Sequence, residues 1–385
     1  MIAVFLILLA CLFSVTVFGK KETYSFFENR MFAAFPEPSG SAMSDGTLFA
    51  EVDRYLSDHT AFRDAAMRVK TMAEMRVLRK PVVNEVVVGE DDLLSYLGYG
   101  VFPQEKIEEQ AEQIANNLAA HRDTVEAVGG HFCLIAVPCQ YVVYSERYPW
   151  YLDNRAEYTK RVHEALFECL ETRGIEYMDM GAFMETLPEM EKDVFASDTD
   201  NHYLIDGAWY VYEAMMDKIT FDWGGSPDVL GKDDFSLTYL TNEYLGSYRR
   251  KLFGLVDNKE RFPILIPKTE IPFTRTQSGT AAPASVYAIP SPDEYALYTV
   301  YMGGDMPQTT IETNRPALPD LLIYGDSFTN PVECLAYTGF DRMDSLDLRY
   351  YSALSLDTYI RQMHPDYVFC IRDYESILDA SSNGQ

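Results

Sequence analysis

A chain of 385 residues, 47% of them hydrophobic, is long enough to bury a full α/β core together with an accessory region. Its 32 Lys and Arg residues against 59 Asp and Glu residues give a net charge of −27. This acidic balance argues against binding to the phosphate backbone of nucleic acid and against docking on anionic lipid, because both need clustered cations.

The chain begins with an apolar segment, residues 2–19, that carries no charge and is followed by Lys20 and Lys21. Such a segment can just span a membrane, and it can equally form the core of a signal peptide. Residues 1–19 are therefore expected to be a signal peptide or a membrane anchor that associates with the membrane, and residues 20–44 a tether. Read literally, the positive-inside rule applied to the two lysines would place the rest of the chain in the cytoplasm.

Beyond the tether, apolar periodicity predicts alternating helices and strands. Helices are predicted at 60–80, 104–128 and 157–172, and strands at 86–89, 132–137, 175–178, 321–324 and 367–371. Alternation of this kind is typical of the α/β class, with a mostly parallel sheet between two layers of helices.

Residues 222–316 interrupt this alternation. They are rich in Thr, Tyr, Pro and Gly and contain short alternating runs such as 296–301. We interpret them as a β-rich insertion or cap that divides one domain into the parts 45–221 and 317–385. The aromatic residues of the insertion are suited to stacking on sugars, although packing within a small sheet is their more common use.

Ser327 is the most informative residue of the chain. The apolar run 321–324 breaks at Gly325-Asp326-Ser327, which predicts a sharp turn after a buried strand. A serine on such a turn presents its hydroxyl at the carboxyl edge of the sheet, and the turn frees backbone amides at residues 325–328 to face a developing oxyanion. Gly-Asp-Ser is also ordinary turn chemistry, so the motif alone leaves both interpretations open.

A second motif, S-D-T-D-N-H-Y at 197–203, contains a carboxylate and an imidazole. Asp200 and His202 are two residues apart, so in an extended segment they project to the same side. A serine hydroxyl becomes a good nucleophile only when a base takes its proton, and the base is usually held by a carboxylate. His202 could instead be a structural histidine beside a helix that Asp206 caps. Its occurrence together with Gly-Asp-Ser favours the catalytic interpretation.

Other kinds of chemistry find no support in the sequence. The five cysteines after the N-terminal segment show no C-x-x-C or Cys/His ligand spacing, so we expect neither a metal site nor a disulfide framework. The chain also lacks G-x-x-x-x-G-K, H-E-x-x-H and G-x-S-x-G. We therefore expect no cofactor, no zinc proteolysis and no ordinary α/β-hydrolase.

Several short stretches, in order along the chain, resemble the DHHW proteins, which are relatives of the AlgX- and AlgJ-like alginate O-acetylation proteins within the SGNH hydrolase superfamily. These stretches are F-F-E-N-R-M (26–31), Y-L-S-D-H-T-A-F-R-D (55–64), D-N-H-Y-x-x-x-G-A-W (200–209), Y-L-G-S (244–247), Y-G-D-S-F (324–328), L-D-L-R-Y-Y (346–351) and H-P-D-Y-V-F (364–369). The resemblance implies an SGNH-like three-layer α/β/α catalytic domain.

The same resemblance implies roles for individual residues. Ser327 would be the nucleophile, His202 the base and Asp200 the carboxylate that orients it. Residues expected at the oxyanion or the substrate are Gly325, Phe328, Arg349 and Tyr203, the last of which stands where the family usually has Trp.

The function implied by the resemblance is extracytoplasmic transfer of acetyl groups to hydroxyls of a cell-surface or exported glycan. Two alternatives stay open: a carbohydrate esterase with the same triad, and a non-catalytic protein that binds polysaccharide or assembly partners. Because acetyl-CoA is cytosolic, the resemblance also implies a multi-pass membrane O-acyltransferase as the partner that delivers acetyl groups. It places the domain in the cell envelope, against the literal positive-inside indication of Lys20 and Lys21.

Overall fold

The computed structural model of the chain describes residues 2–89, 93–98, 100–257 and 259–379. Met1 and residues 380–385, which belong to the predicted N-terminal segment and to the predicted second part of the catalytic domain, lie outside the described residues. The chain divides into two compact units. The first is Met1–Tyr96 with Ser247–Asp257, and the second is Leu97–Gly246 with Asn258–Gln385.

Helices and strands alternate through much of the second unit, as the apolar periodicity predicts. In the described residues the α-helices are α1 (Ile2–Phe18), α2 (Gly40–Ser44), α3 (Thr47–Asp58), α4 (Arg63–Arg76), α5 (Gln104–Ala127), α6 (Gln140–Val143), α7 (Ala156–Thr172), α8 (Met180–Met184), α9 (Glu189–Lys192), α10 (Ile205–Asp217), α11 (Ser247–Lys251), α12 (Thr329–Ala336) and α13 (Leu356–Met363). The strands are β1 (Tyr24–Ser25), β2 (Arg30–Met31), β3 (Val82–Val83), β4 (Val86–Val88), β5 (Leu93–Ser95), β6 (His131–Val137), β7 (Tyr177–Asp179), β8 (Phe235–Tyr239), β9 (Pro263–Pro267), β10 (Thr274–Gln277), β11 (Thr280–Ala282), β12 (Gln308–Glu312), β13 (Asp320–Gly325), β14 (Arg342–Asp347) and β15 (Tyr367–Asp373).

The first unit contains the N-terminal apolar segment, which forms the 17-residue helix α1. Across the described ranges, no helix is both long enough and apolar enough to cross a membrane. The strand predicted at 86–89 forms as β4, but it pairs with β3 and β5 in an antiparallel sheet instead of joining a parallel one. The reason is local: Asn84 and Glu85 have φ angles of 48° and 62°, so they form a tight hairpin turn that folds β4 back onto β3.

The second unit is built on an eight-stranded sheet with the order β11-β10-β12-β14-β13-β15-β6-β7. Strands β14, β13, β15, β6 and β7 are parallel, whereas β12, β10 and β11 add antiparallel pairs at one side. The predicted mostly parallel α/β sheet is therefore confirmed. Its helices pack in two groups, α5 with α7 and α13, and α10 with α12.

The stretch 222–316, expected to be a β-rich insertion, supplies β8 to β12. Strands β8 and β9 form a separate antiparallel pair, and β10 to β12 extend the central sheet. The sequences of β10 and β12, TRTQ and QTTIE, are mainly polar. They lack the apolar run by which a buried strand is recognised, so their place in the sheet is not evident from pattern.

Register places the carboxyl ends of the central parallel strands at one edge. Gly325 at the end of β13 pairs with Asp347 of β14 and Ile371 of β15, and Val137 of β6 pairs with Asp373. Glycine is required at 325, because a Cβ atom there would lie 1.9 Å from the carbonyl oxygen of Ile371. The turns after these strands therefore meet at the edge where open α/β sheets bind their ligands.

Candidate active site

The turn that carries Ser327 is organised by the buried carboxylate of Asp326. Its Oδ1 accepts a 3.0 Å hydrogen bond from the Phe328 amide, which closes the turn into α12. Its Oδ2 accepts hydrogen bonds from the Asp373 amide at 3.3 Å and the Ser376 hydroxyl at 3.1 Å. Arg372 Nε, which is fully buried, lies 3.2 Å from the same oxygen. The turn is thus fastened to the end of the neighbouring strand β15, and Ser327 itself is left half-buried.

The loop before α10 brings His202 to this turn although 125 positions separate it from Ser327. The Ser327 hydroxyl is 2.7 Å from His202 Nε2, and His202 Nδ1 is 2.7 Å from Asp200 Oδ1. Asp200 Oδ1 also accepts the His202 amide at 3.2 Å. With Nδ1 donating to the carboxylate, Nε2 carries the lone pair that faces the serine hydroxyl. The three side chains form a continuous hydrogen-bond chain of the Ser-His-Asp type.

The loop that carries Asp200 and His202 is held by Glu260. This half-buried carboxylate accepts hydrogen bonds from the Ser197 hydroxyl at 2.9 Å, the Thr199 hydroxyl at 2.7 Å and the Asp198 amide at 3.1 Å. Burial raises the pKa of Glu260 to about 7, against the lowering effect of the two hydroxyl donors. Glu260 therefore fixes the three residues immediately before Asp200.

Tyr298 supports the imidazole from one face. Its ring stacks on that of His202, with centroids 3.9 Å apart and planes 10° from parallel. The Tyr298 hydroxyl donates a 3.0 Å hydrogen bond to the Ser327 carbonyl. One side chain therefore contacts both the imidazole and the backbone of the serine that faces it, which limits the rotation of the imidazole.

A cavity of about 300 Å³ opens beside the serine. It is lined by Ser327, Phe328, Asn201, Arg349, Asp373 and Glu375, among others. Burial and the neighbouring Asp326 carboxylate raise the pKa of Asp373 to about 7. Asn201, which lines the cavity, has its Nδ2 atom 3.3 Å from His202 Nε2, so it lies beside the nitrogen that faces the serine.

Residues 86–282, just over half of the chain, match the family described as SGNH hydrolase-like domain, acetyltransferase AlgX. The chain belongs to this family. The resemblance drawn from the short motifs is thereby confirmed. No curated protein matches the chain in sequence.

Several solved structures have the same fold as this chain. PatB1 of Bacillus cereus is similar with a TM-score of 0.66 at 18% identity, over 78% of this chain and 99% of that one. A structure of the same Bacillus protein with a sulfonyl adduct gives a TM-score of 0.63 at 18% identity, over 76% of this chain and 95% of that one. A DHHW family protein from Eubacterium siraeum gives 0.59 at 17% identity, over 78% and 95%. At such identities these likenesses establish the fold alone.

Two of the four residues expected at the oxyanion or substrate of the SGNH hydrolase-like domain occupy other positions. Tyr203 is fully buried, and its hydroxyl donates a 2.5 Å hydrogen bond to the Phe328 carbonyl. It therefore stabilises the turn that carries Ser327. Gly325 is the last residue of β13 and lies within the strand ladder. Phe328 lines the cavity, but its amide is engaged by Asp326. Within the described residues, the Ser327 amide has no hydrogen-bond partner, so it is the donor of this turn that is available to an oxyanion.

Arg349 lines the cavity, but carboxylates occupy its guanidinium. It donates to Asp347 at 2.9 and 2.6 Å and to Asp305 at 2.8 Å. Asn330 holds Asp305 with a further 2.9 Å hydrogen bond. Arg349 therefore fixes the turn after β14, and it presents little net positive charge to a ligand.

Sequence reasoning missed Tyr298 and Glu260. Both lie in the 222–316 stretch, in segments without a motif, and their distance from residue 202 along the chain hides the contacts. The alternating run 296–301 was visible only as a β-rich signal, and Tyr298 lies in a 3₁₀ turn at Tyr298–Val300. No signal in the sequence alone would have selected either residue.

Proposed function

We propose that this chain is an extracytoplasmic acetyltransferase that moves an acetyl group to a hydroxyl of a cell-surface or exported glycan. One observation carries the proposal: Ser327 Oγ lies 2.7 Å from His202 Nε2 while His202 Nδ1 lies 2.7 Å from Asp200. Membership of the acetyltransferase AlgX family supports acetyl as the transferred group.

In the first half of the reaction, Ser327 Oγ attacks the carbonyl carbon of the acetyl donor and its proton passes to His202 Nε2. The carbonyl becomes a tetrahedral oxyanion, and the free Ser327 amide donates to it. Collapse of the intermediate breaks the bond to the donor's leaving group, which takes the proton from His202. The product is an acetyl ester on Ser327 with a neutral imidazole.

In the second half, a glycan hydroxyl attacks the acetyl-serine and gives its proton to His202. Collapse returns that proton to Ser327 Oγ and releases the acetylated glycan. Asp200, which is buried, stabilises the imidazolium that forms twice and keeps Nδ1 protonated. Water in place of the glycan hydroxyl would make the same chemistry an esterase, so the acceptor decides the outcome.

The acetyl donor belongs to the same proposal. The apolar segment 2–19 would direct the domain to the outer side of a membrane, where an uncleaved segment would anchor it and a removed signal peptide would leave it released. A multi-pass membrane O-acyltransferase would then supply acetyl groups from cytosolic acetyl-CoA. We expect the purified protein to use acetyl-CoA poorly, and protease added outside wall-stripped cells to digest the domain. Efficient direct use of acetyl-CoA, or protection of the domain, would contradict this part.

The nucleophile can be tested with a sulfonyl fluoride probe and an activated acetyl ester. PatB1 has been obtained with a sulfonyl adduct, and we expect a sulfonyl group on Ser327 here, located by peptide mass spectrometry. Ser327→Ala should lose both labelling and ester turnover while keeping its fold. Ser236→Ala, which changes an exposed serine of β8 that does not line this cavity, should keep both. Full turnover in Ser327→Ala would exclude the assigned nucleophile and favour a non-catalytic binding protein.

The acceptor can be tested by adding oligosaccharides to the activated ester. A transferase yields acetylated oligosaccharide in proportion to acceptor concentration, at the expense of free acetate. Release of acetate alone, unchanged by every acceptor, would identify a carbohydrate esterase instead.

A further inference from the structure

A second and larger cavity, of about 850 Å³, lies at the same edge of the sheet. Its lining includes Tyr141 after β6, Asp179 at the end of β7 and Tyr374 after β15. Tyr374 stands between Asp373 and Glu375, which line the cavity of Ser327. The turn after β15 is therefore a wall common to both cavities, and a chain-like ligand that crosses this turn would contact both.

A row of aromatic rings runs along one wall of this larger cavity. Tyr177 stacks on Phe167 at a centroid distance of 4.6 Å, Phe167 contacts His163 at 5.2 Å, and His163 contacts Tyr374 at 3.9 Å. All four rings line the cavity. Aromatic faces of this kind pack well against the C–H faces of pyranose rings, and a pocket of this size accepts a ligand of two or three sugar units.

The wall also contains buried polar atoms that lack a partner. Thr159 is only 7% exposed, and its hydroxyl makes no hydrogen bond within the described part of the chain. His163 Nε2 is likewise buried without a partner there. Burial lowers the pKa of His163 to about 4, so its ring is neutral at physiological pH and Nε2 can pair with a hydroxyl. Buried polar groups in proteins are nearly always paired, so these atoms indicate a hydroxylated ligand that completes the site.

Charge in both cavities selects against acidic ligands. The larger cavity is bordered by the carboxylates of Glu164, Glu168, Glu171, Asp179 and Glu185, against one ammonium group, that of Lys160. In the smaller cavity the cation of Arg349 is already paired with Asp347 and Asp305. A polymer of uronate or phosphate-bearing sugars would be repelled along its whole path, whereas amino groups would be attracted.

The loop that borders the larger cavity exposes a tryptophan. Trp150 is 93% exposed and contacts the edge of Tyr151, at a centroid distance of 5.7 Å. The loop begins at Ser145 and ends at Asn154, and both of these residues line the cavity. An exposed tryptophan on a loop whose two ends line an aromatic cavity is suited to stack on a sugar that extends out of that cavity.

We propose that this second cavity, together with Trp150, binds the acceptor glycan, and that the acceptor is an uncharged or amine-bearing glycan without acidic groups. The role of this glycan as acceptor rests on the proposed function, because the bound glycan would present its hydroxyl to acetyl-Ser327 across the turn after β15. The binding itself requires no chemistry and can be measured separately.

The test is calorimetric titration of the full chain with three tetrasaccharides of equal length: fully deacetylated chitosan, its N-acetylated form and oligogalacturonate. We expect the first two to bind and oligogalacturonate to bind at least about tenfold more weakly at low salt. Replacing Glu164 and Glu168 with Gln should reduce this discrimination. Equal or tighter binding of oligogalacturonate by the native chain would overturn the assignment of the acceptor's charge.

The site is tested by Trp150→Ala, which removes no buried contact. It should weaken tetrasaccharide binding by about tenfold and leave turnover of an activated acetyl ester unchanged. The matched control is Phe221→Ala, which is 76% exposed and close in sequence to Trp223. Trp223 stacks on Tyr367 at the opposite end of β15, so the control lies at the other edge of the sheet. Equal tetrasaccharide affinity in the Trp150 and Phe221 variants would contradict the assignment of this site.

These measurements separate the inference from the proposed function. Tetrasaccharide binding that depends on Trp150, without ester turnover, would support the glycan site and contradict the catalytic role of Ser327. Ester turnover that depends on Ser327, without tetrasaccharide binding, would support the catalytic role of Ser327 and contradict the glycan site.

Discussion

Ser327 and His202 approach to 2.7 Å, yet different parts of the chain hold them. The serine turn is fastened by Asp326 to residues at the end of the adjacent strand β15, among them the buried Arg372. The histidine loop is held by Glu260 and Tyr298, which come from the stretch 222–316. The proposed nucleophile is thus positioned by the register of the parallel sheet, and the proposed base by side chains from outside the βα alternation.

This difference predicts that loss of the carboxylate that fastens the serine turn acts mainly on stability, whereas loss of the carboxylate that pairs with His202 acts mainly on rate. A buried ion pair at the ends of two central strands is hard to break without loosening the fold. The buried carboxylate of Asp200, by contrast, can be exchanged for an amide of the same shape, which removes its charge without opening a cavity. The predictions below test this contrast from the largest expected effect to the smallest.

Asp200→Asn should produce the largest effect on rate. The amide is uncharged and can turn its NH2 group toward Nδ1, so the imidazole is no longer held in the tautomer with Nδ1 protonated and loses its charge stabilisation. We expect turnover of an activated acetyl ester to fall by about 10²- to 10⁴-fold. The midpoint of urea unfolding should change little, and circular dichroism should match that of the native chain. A rate within a factor of two of native would show that Asp200 does not act through His202.

Asp326→Ala should produce the largest effect on stability. It leaves the fully buried Arg372 without its carboxylate and opens the turn before α12. We expect the free energy of unfolding to fall by about 3–5 kcal/mol, measured by urea titration. Asp222→Ala is the control, because Asp222 pairs with Lys218 on the surface with 58% of its side chain exposed. Its loss should change stability by less than about 1 kcal/mol. Similar effects of the two substitutions would break the contrast.

The serine side was also the side that sequence could predict. The turn at Ser327 follows an apolar run of four residues. The predicted strand 367–371 forms as β15, which pairs with β13, and the predicted strand 132–137 forms as β6, which pairs with β15. The pair Asp200 and His202 was visible as a two-residue spacing. The supports of that pair were not visible, because a contact between Tyr298 and His202 depends on how the chain returns after nearly a hundred residues. The polar strands β10 and β12 were not predicted for a related reason, because their sequences lack apolar residues at a recognisable period.

Glu260→Gln should produce an intermediate effect that depends on pH. Burial raises the pKa of Glu260 from about 4.5 to about 7, so the folded chain binds a proton there that the unfolded chain has released. The stabilisation associated with that proton is fully present below about pH 4.5 and is lost as pH rises to about 7. Glutamine resembles the protonated acid and removes this dependence.

The measurement is urea unfolding of both proteins from pH 4 to pH 8. The native chain should lose stability relative to Glu260→Gln as pH rises, by an amount on the order of 2 kcal/mol. Taking the difference between the two proteins cancels the contribution of Asp373, whose pKa is also raised to about 7. A difference that is constant across the range would show that Glu260 does not titrate there.

Tyr298→Phe should produce the smallest effect, and it separates the two contacts that this residue makes. The substitution keeps the ring that stacks on His202 at 3.9 Å and removes the hydroxyl that donates to the Ser327 carbonyl at 3.0 Å. A single neutral hydrogen bond contributes about 0.5–1.5 kcal/mol, so turnover should fall by no more than about tenfold. Tyr298→Leu also removes the stacked ring, whose interaction contributes a further free energy of about 0.5–1.5 kcal/mol. This variant should therefore lower turnover more than Tyr298→Phe does. The rates are compared at saturating ester. Equal rates for the phenylalanine and leucine variants would show that the ring does not orient the imidazole, and the histidine side would then depend on Glu260 alone among the supports identified in the described residues.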